Sequence, residues 1–194
     1  MPSERALGPE ESLEIISDAI LRTREDIRKN SYPLLLWGWL VASASFLFYV
    51  LVTITTFKYY FLPFPIFALI GVFSTIVYYR KKMMPGTQTY LQYFLSRLWM
   101  ILGVAFFLTV FVSINQGLPP FAFTLIIAGI GTLVSGLTMK FKPLVWGGVL
   151  FFCASLVCVF VADDLKVLVH GVAIIAGYLV PGYLLKASTS QANQ

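Results

Sequence analysis

Few residues outside the N-terminal 30 could carry out proton transfer or metal binding. His170 is the only histidine, Asp163 lies seven residues before it, and Cys153 and Cys158 are the only cysteines. Helical spacing could bring His170 and Asp163 to one face, but a metal site needs three or four ligands. The cysteines are five residues apart and are expected to act as small packing residues. We therefore expect no metal and no cofactor, and we interpret His170 as a histidine held by a hydrogen bond at the membrane interface.

Acidic residues are almost absent after the first 30 positions. The range Ser31 to Gln194 contains nine Lys or Arg but only two acids, Asp163 and Asp164. Proton relays and ion sites in membranes usually rely on acids or histidine held at depth. The sequence also contains no HExxH motif and no phosphate-binding loop, and no broad basic surface of the kind that binds nucleic acid. We therefore predict a protein that is not an enzyme and does not bind nucleic acid.

Six apolar stretches are long enough to cross a membrane. The chain is 58% hydrophobic and 12% charged, whereas soluble domains are about 25% charged. A spanning helix needs about 20 mostly apolar residues, and a helix satisfies its backbone hydrogen bonds internally. The predicted spans are Leu34–Phe57, Phe61–Tyr79, Leu98–Ile114, Leu118–Met139, Leu144–Ala162 and Leu165–Leu185. The fold class that follows is all-α: a polytopic membrane protein of three helical hairpins.

Positive charges fall mostly on one side of these spans. Eleven Lys or Arg flank one set of span ends, whereas only Lys58 and Lys166 flank the other set. Because positive residues near span ends stay in the cytoplasm, both termini are predicted to be cytoplasmic. Basic side chains of the inner loops are candidate contacts for anionic lipid, although topology alone also explains their charge. These residues are Arg80, Lys81, Lys82, Lys140 and Lys142.

The spans repeat in pairs, which indicates an internal threefold duplication. A Trp near the start of each odd span is followed by a Gly in the even span after 34, 32 and 31 residues. The repeated units keep one orientation and are expected to be related by an axis along the membrane normal. Small residues let helices approach closely, so we interpret the following positions as helix-packing residues, with a kink or gate at the Pro-Gly pair as the alternative. They are Gly71, Gly131, Gly136, Gly177, Pro181 and Gly182.

A polar segment before the first span is predicted to form an amphipathic cytoplasmic helix. Residues 1–30 hold seven of the nine acids, and their basic residues cluster toward the C-terminal end. Apolar residues recur at helical spacing and form one stripe. The stripe consists of Leu13, Ile16, Ile20 and Ile27. This helix could lie on the membrane, dock on its own bundle or bind a partner protein. The predicted domains are 1–30, the transmembrane domain 31–187 and a flexible cytoplasmic tail 188–194.

Four stretches of the sequence carry a resemblance to known proteins: ESLEIISDAI, LLLWGWL, TLVSGLTMKFKPLVWGGVLFF and VPGYLLK. Through them the chain resembles a family of small uncharacterised bacterial six-span membrane proteins, over nearly the whole chain, from Glu11 to Lys186. The resemblance implies the same layout and a bacterial cytoplasmic membrane, but no activity or ligand. From the amphipathic N-terminal helix and the missing catalytic motifs, we expect a non-enzymatic membrane anchor for a cytoplasmic interaction or regulatory helix. The alternative is a facilitative transporter or channel for a neutral or amphipathic solute.

Overall fold

Six long apolar helices make up most of the described chain. The computed structural model describes residues 31–56, 58–82 and 90–191, together with Gly8, Glu11, 13–15 and Ser17. The helices are α1 (Tyr32–Ile54), α2 (Pro63–Lys82), α3 (Tyr90–Asn115), α4 (Phe121–Thr138), α5 (Lys142–Phe160), α6 (Asp163–Ile174) and α7 (Val180–Gln191), and a π-helical segment (Ile175–Leu179) joins the last two. Together α6, the π segment and α7 form the sixth span, and all six spans are long and apolar enough to cross a membrane. The predicted all-α polytopic fold is confirmed.

The third span begins earlier than the sequence predicted. The second predicted span ends at Tyr79 and the third begins at Leu98, yet α2 continues to Lys82 and α3 begins at Tyr90. The 26 residues of α3 extend about 39 Å at 1.5 Å per residue, which exceeds a hydrocarbon core of about 30 Å. The guanidinium of Arg97 lies 5.0 Å from the centre of the Tyr93 ring. A charged residue therefore ends the apolar stretch here without ending the helix.

The third hairpin lies between the other two. Within hairpins, α1 packs on α2, α3 on α4, and α5 on the sixth span. Between hairpins, α4 packs along α5, while α1 packs along α6 and the π segment. The central helices are therefore α1, α4, α5 and the sixth span, with α2 and α3 at the periphery. The three hairpins are not arranged as an even ring, because the contacts concentrate on the two sides of the third.

Glycines bring the backbones of α4 and α5 into contact. A Cβ atom built on Gly148 would lie 2.7 Å from the backbone nitrogen of Leu133. A Cβ on Gly136 would lie 2.6 Å from the backbone nitrogen of Val145. Real Cβ atoms do not approach so closely, so these positions accept only glycine without a movement of the backbone. Because lipid supplies no hydrophobic force between helices, such close packing is a main source of their association.

One end of the bundle is basic and the other carries the acids. The start of α1, the end of α2, the turn between α4 and α5 and the end of α7 lie at one end, here named the basic end. The exposed basic residues described there include Arg80, Lys81, Lys140, Lys142 and Lys186. At the opposite end, the Asp163 carboxylate forms an ion pair with Lys166 at 2.6 Å. The charge asymmetry of the sequence is thus also an asymmetry of the folded bundle.

Candidate functional site

The repeated Trp and Gly residues meet in the first hairpin. A Cβ atom on Gly71 of α2 would lie 2.9 Å from Cη2 of Trp37, so the indole packs directly on the glycine. The indole Nε1 of Trp37 also donates a hydrogen bond to Oγ1 of Thr75 at 3.2 Å. Because Thr75 follows Gly71 by one helical turn, one indole ring contacts both residues. This contact joins α1 to α2 near the basic end.

The second hairpin repeats the arrangement. A Cβ on Gly131 of α4 would lie 2.9 Å from Cη2 of Trp99, and Nε1 of Trp99 donates to Oγ of Ser135 at 3.1 Å. Ser135 again follows the glycine by four residues. The structural unit is therefore a Trp, a Gly and a hydroxyl one turn later. The repeat identified in the sequence included the Trp and the Gly but not the hydroxyl.

The third hairpin departs from this unit. Trp146 is 70% exposed, and the position four residues after Gly177 is Pro181, which has no hydroxyl. Phe151 of α5 takes the place of the indole, because a Cβ on Gly177 would overlap the far end of its ring. In sequence, the first unit differs from the other two at Ile76, where they have a second glycine, Gly136 or Gly182. In its side-chain contacts, the third unit departs most.

Changing each Trp to Phe tests whether the repeated indole contact contributes to stability. Trp37→Phe and Trp99→Phe remove an interhelical hydrogen bond together with the ring atoms that pack on the glycine, and should each lower the free energy of unfolding by at least about 1 kcal/mol. Trp146→Phe is the matched control, since its indole is exposed, and should leave stability nearly unchanged. Reversible unfolding in mixed detergent micelles measures all three. Equal losses in all three variants would contradict a specific role for the repeated indole contact.

The sixth span changes its helical form beside Pro181. The N–H of Val180 donates to the carbonyl of Ile175, five residues back, as in a π-helix. Pro181 has no N–H to donate to the carbonyl of Gly177. That carbonyl oxygen faces α5, where a Cβ on Gly147 would lie 2.6 Å from it. π-helical segments are frequent at functional sites, so this part of the sixth span is the strongest candidate site of the protein.

The π segment carries Tyr178 into the core of the bundle. The Tyr178 side chain is 7% exposed and packs edge-on against the Phe151 ring, with the ring centres 5.0 Å apart. Its hydroxyl lies near the side chain of Thr132 on α4. The Thr132 hydroxyl also donates to the backbone carbonyl of Ala128 at 2.6 Å. A buried polar pair therefore connects the fourth and sixth spans beside the irregular segment.

His170 is also buried, and its partner is a serine of the first span. The Nδ1 atom of His170 lies 2.9 Å from Oγ of Ser45, whose Oγ also lies 2.9 Å from the Val41 carbonyl oxygen. Both contacts are satisfied when Nδ1–H donates to Oγ and Oγ–H donates to the carbonyl. The rings of Phe64 and Phe121 lie beside the imidazole, with centres 6.4 and 5.6 Å away. The polar pair is thus surrounded by aromatic groups.

The environment of His170 includes the hydrogen bond expected from the sequence. His170 is only 3% exposed and therefore lies inside the bundle; its level in the membrane stays a prediction. Asp163, which helical spacing could place on the same face, forms an ion pair with Lys166. Ser45 is 125 residues away in the chain, so no local spacing could have identified it. Over the described residues, three or more His, Cys, Asp or Glu do not come together.

The glycines and prolines selected from the sequence lie at helix contacts. Besides the contacts of Gly71, Gly131, Gly136 and Gly177 given above, Gly182 packs on α1, where its Cβ would lie 2.9 Å from Cδ2 of Leu35. Pro181 is almost completely buried. These contacts describe a closed, packed sixth span. A gating movement of the Pro-Gly pair stays a prediction.

The predicted lipid-contact residues lie at the basic end but on different elements. Arg80 and Lys81 are exposed at the end of α2, and Lys140 and Lys142 are exposed around the turn from α4 to α5. Lys140 has a positive φ of 50°, which reverses the chain direction in this short turn. The side chain of Lys82 lies outside the described residues. Anionic lipid binding by this group stays a prediction.

The predicted partner-binding stripe is described only at Leu13. The residues Glu11, 13–15 and Ser17 are helical, as predicted. Leu13 is 67% exposed and Ile15 is 51% exposed. Ile16, Ile20 and Ile27 lie outside the described residues. The described part of this helix therefore presents apolar side chains that the described spans do not cover.

The fold and these sites define the class: a multi-pass α-helical membrane protein with a glycine-packed bundle and an irregular sixth span. Comparison with protein-family models, curated proteins and solved structures gives no match. The resemblance to six-span bacterial proteins stays a prediction. The function has to be argued from the bundle itself.

Proposed function

We propose that the protein is a non-enzymatic membrane anchor whose bundle presents the N-terminal helix to a protein partner in the cytoplasm. The observation that carries this proposal is the exposure of Leu13. This apolar residue belongs to a helical segment and is 67% exposed. An apolar stripe on a helix outside the membrane gains stability by covering its apolar side chains. Since Leu13 is not covered by the described spans, a partner helix is the proposed cover.

The packing of the bundle supports an anchor rather than a passage. Leu125 and Phe151 are completely buried and fill the space between the central helices. The glycine contacts between α4 and α5 leave no room for a side chain, and therefore none for a solute, along that line. A closely packed bundle of this kind suits a protein that positions another element. The proposed location is the bacterial cytoplasmic membrane, with both termini in the cytoplasm because the basic end faces inward.

Site-specific photocrosslinking in native membranes tests the anchor. A photoreactive residue at Leu13 should crosslink a discrete partner, because Leu13 lies on the proposed contact face. Glu11 is the matched control: it is two residues away, exposed and on the opposite helical face at 100° per residue. The double change Ile16→Asp with Ile20→Asp should remove the Leu13 crosslink and leave membrane insertion unchanged. Crosslinking only to lipid, or equally from both positions, would refute the proposal.

A facilitative carrier is the second candidate, and one observation favours it. The π segment, Pro181 and the buried Tyr178–Thr132 pair form an irregular, partly polar site in the middle of the sixth span. Interrupted helices line the substrate sites of many transporters. With no acidic residue within the predicted spans, such a carrier would not couple transport to protons or Na⁺. Solute movement that depends strongly on either gradient would exclude it.

A further inference from the structure

An open groove runs along the outer surface of the sixth span toward the basic end. It has a volume of about 580 Å³ and lies between Trp39 of α1 and the face of the π segment and α7. Its walls are formed largely by the apolar side chains of Ile175, Leu179, Val180 and Leu184. The first and last lining residues of the sixth span, Ile175 and Ala187, are about 18 Å apart along the helix at 1.5 Å per residue. This shape and composition suit a single hydrocarbon chain lying parallel to the spans.

The groove has a polar group in the half that lies nearer the basic end of the bundle. The indole Nε1 of Trp39 donates a hydrogen bond to the hydroxyl oxygen of Tyr183 at 3.0 Å. In this bond the Tyr183 oxygen acts as the acceptor, so its own hydrogen remains to be donated to another group. Both side chains are about half exposed. The pair therefore presents one hydrogen-bond donor to a ligand that accepts hydrogen bonds.

A positive charge lies one helical turn beyond this donor. Lys186 follows Tyr183 by three residues on α7 and is exposed, and residues three apart are neighbours on a helix surface. A group held between the Tyr183 hydroxyl and the Lys186 ammonium must accept hydrogen bonds and carry negative charge. In the described residues, the acids of the spans are at the opposite end of the bundle, at Asp163 and Asp164. The protein thus does not supply this anion from its own described spans.

We propose that the groove binds one anionic phospholipid of the adjoining leaflet, with an acyl chain along the π segment and its phosphate between Tyr183 and Lys186. The occupant follows from charge complementarity and position: the groove is apolar at mid-span and has a donor at Tyr183, and the Lys186 cation lies one helical turn beyond that donor, toward the level of the headgroups. Trp and Tyr are the side chains that favour this level of a membrane. The site differs from the loop residues Lys140 and Lys142. The proposal does not depend on the anchor function.

Lipid titration of the purified full-length protein tests the site. The protein is delipidated in mild detergent, and native mass spectrometry follows binding of phosphatidylglycerol and of phosphatidylcholine with the same acyl chains. We expect one phosphatidylglycerol to bind about fivefold more tightly than phosphatidylcholine. One charge near the membrane surface contributes about 1 kcal/mol, which corresponds to about a fivefold change in affinity. Equal affinities for the two lipids would overturn the proposal.

Two substitutions of the residues proposed to bind the headgroup, together with one control, test whether the charge of Lys186 acts at this site. Lys186→Gln should lower the affinity for phosphatidylglycerol about fivefold, and Tyr183→Phe should lower it to a similar degree because it removes the donor. Lys142→Gln removes the same charge at the same end of the bundle but outside the groove, and should have little effect. A loss with Lys142→Gln as large as that with Lys186→Gln would overturn the site, since it would indicate a diffuse basic surface.

A second pair of variants tests the position of the acyl chain. Val180 lines the groove and is 51% exposed, so Val180→Trp should fill it and weaken the binding of both lipids. Val172→Trp is the matched control, since Val172 is equally accessible on the same span but does not line the groove. Undiminished binding to Val180→Trp would overturn the proposal. So would a protein dimer that forms without bound lipid and is lost in Val180→Trp, because a second copy would then be the occupant.

Discussion

Replacing Gly148 with valine should separate α4 from α5 and lower the free energy of unfolding by about 3 kcal/mol, at the upper end of the range for overpacked cores. The backbone nitrogen and Cα of Leu133 lie within 2.8 Å of the Cβ that valine would introduce. A flexible side chain could rotate away, but a helix backbone can only move as a whole. The α4–α5 contact would therefore have to open along much of its length.

The control for this experiment is a glycine in another span. Gly103 of α3 is helical, and a Cβ atom there would meet nothing within 4 Å. Gly103→Val changes helix propensity in the same way as Gly148→Val but introduces no clash, so its stability should stay within about 0.5 kcal/mol of the parent protein. Unfolding in mixed micelles compares the two directly. Similar stabilities for both variants would show that α4 and α5 can move apart without lowering the free energy of unfolding.

The spans could be predicted because the membrane imposes one strong constraint. Backbone groups in hydrocarbon must bond within their own helix, so a long apolar stretch predicts a helix almost by itself. The start of α3 could not be predicted in this way. Tyr90 to Arg97 form a helix that continues beyond the apolar stretch, where hydropathy no longer distinguishes a helix from a loop.

The candidate site was predicted only in part, because some of its features depend on contacts between different spans. Pro181 and Gly177 were selected because a proline disturbs a helix and a glycine allows close approach. Their consequence, a π segment that places Tyr178 beside Thr132, depends on contacts between different spans. Ser45 likewise resembles any other small residue of a spanning helix until His170 is placed next to it. One local signal was present and overlooked: the hydroxyls four residues after Gly71 and Gly131 are Thr75 and Ser135.

Gly177→Ala and Phe151→Leu should each destabilise the bundle, and together they should compensate. The added methyl of Gly177→Ala would overlap Cζ, Cε1 and Cε2 of the Phe151 ring, at an expected cost of about 2 kcal/mol. Phe151 is completely buried, so Phe151→Leu alone leaves a cavity and should cost about 1–2 kcal/mol. Leucine lacks the ring atoms that the methyl would overlap. In the double variant, the methyl therefore occupies part of the cavity.

A double-mutant cycle measures this compensation as a coupling free energy. For residues in direct contact we expect the double variant to be at least about 1 kcal/mol more stable than the sum of the single losses predicts. The control cycle combines Phe151→Leu with Gly71→Ala, because Gly71 packs on Trp37 and Leu40 in a different hairpin and should be additive with Phe151. If both cycles are additive, Phe151 does not replace the indole of the other hairpins as the partner of the repeated glycine. Coupling in the first cycle alone would mean that the third hairpin keeps the glycine contact of the repeat with a different aromatic residue.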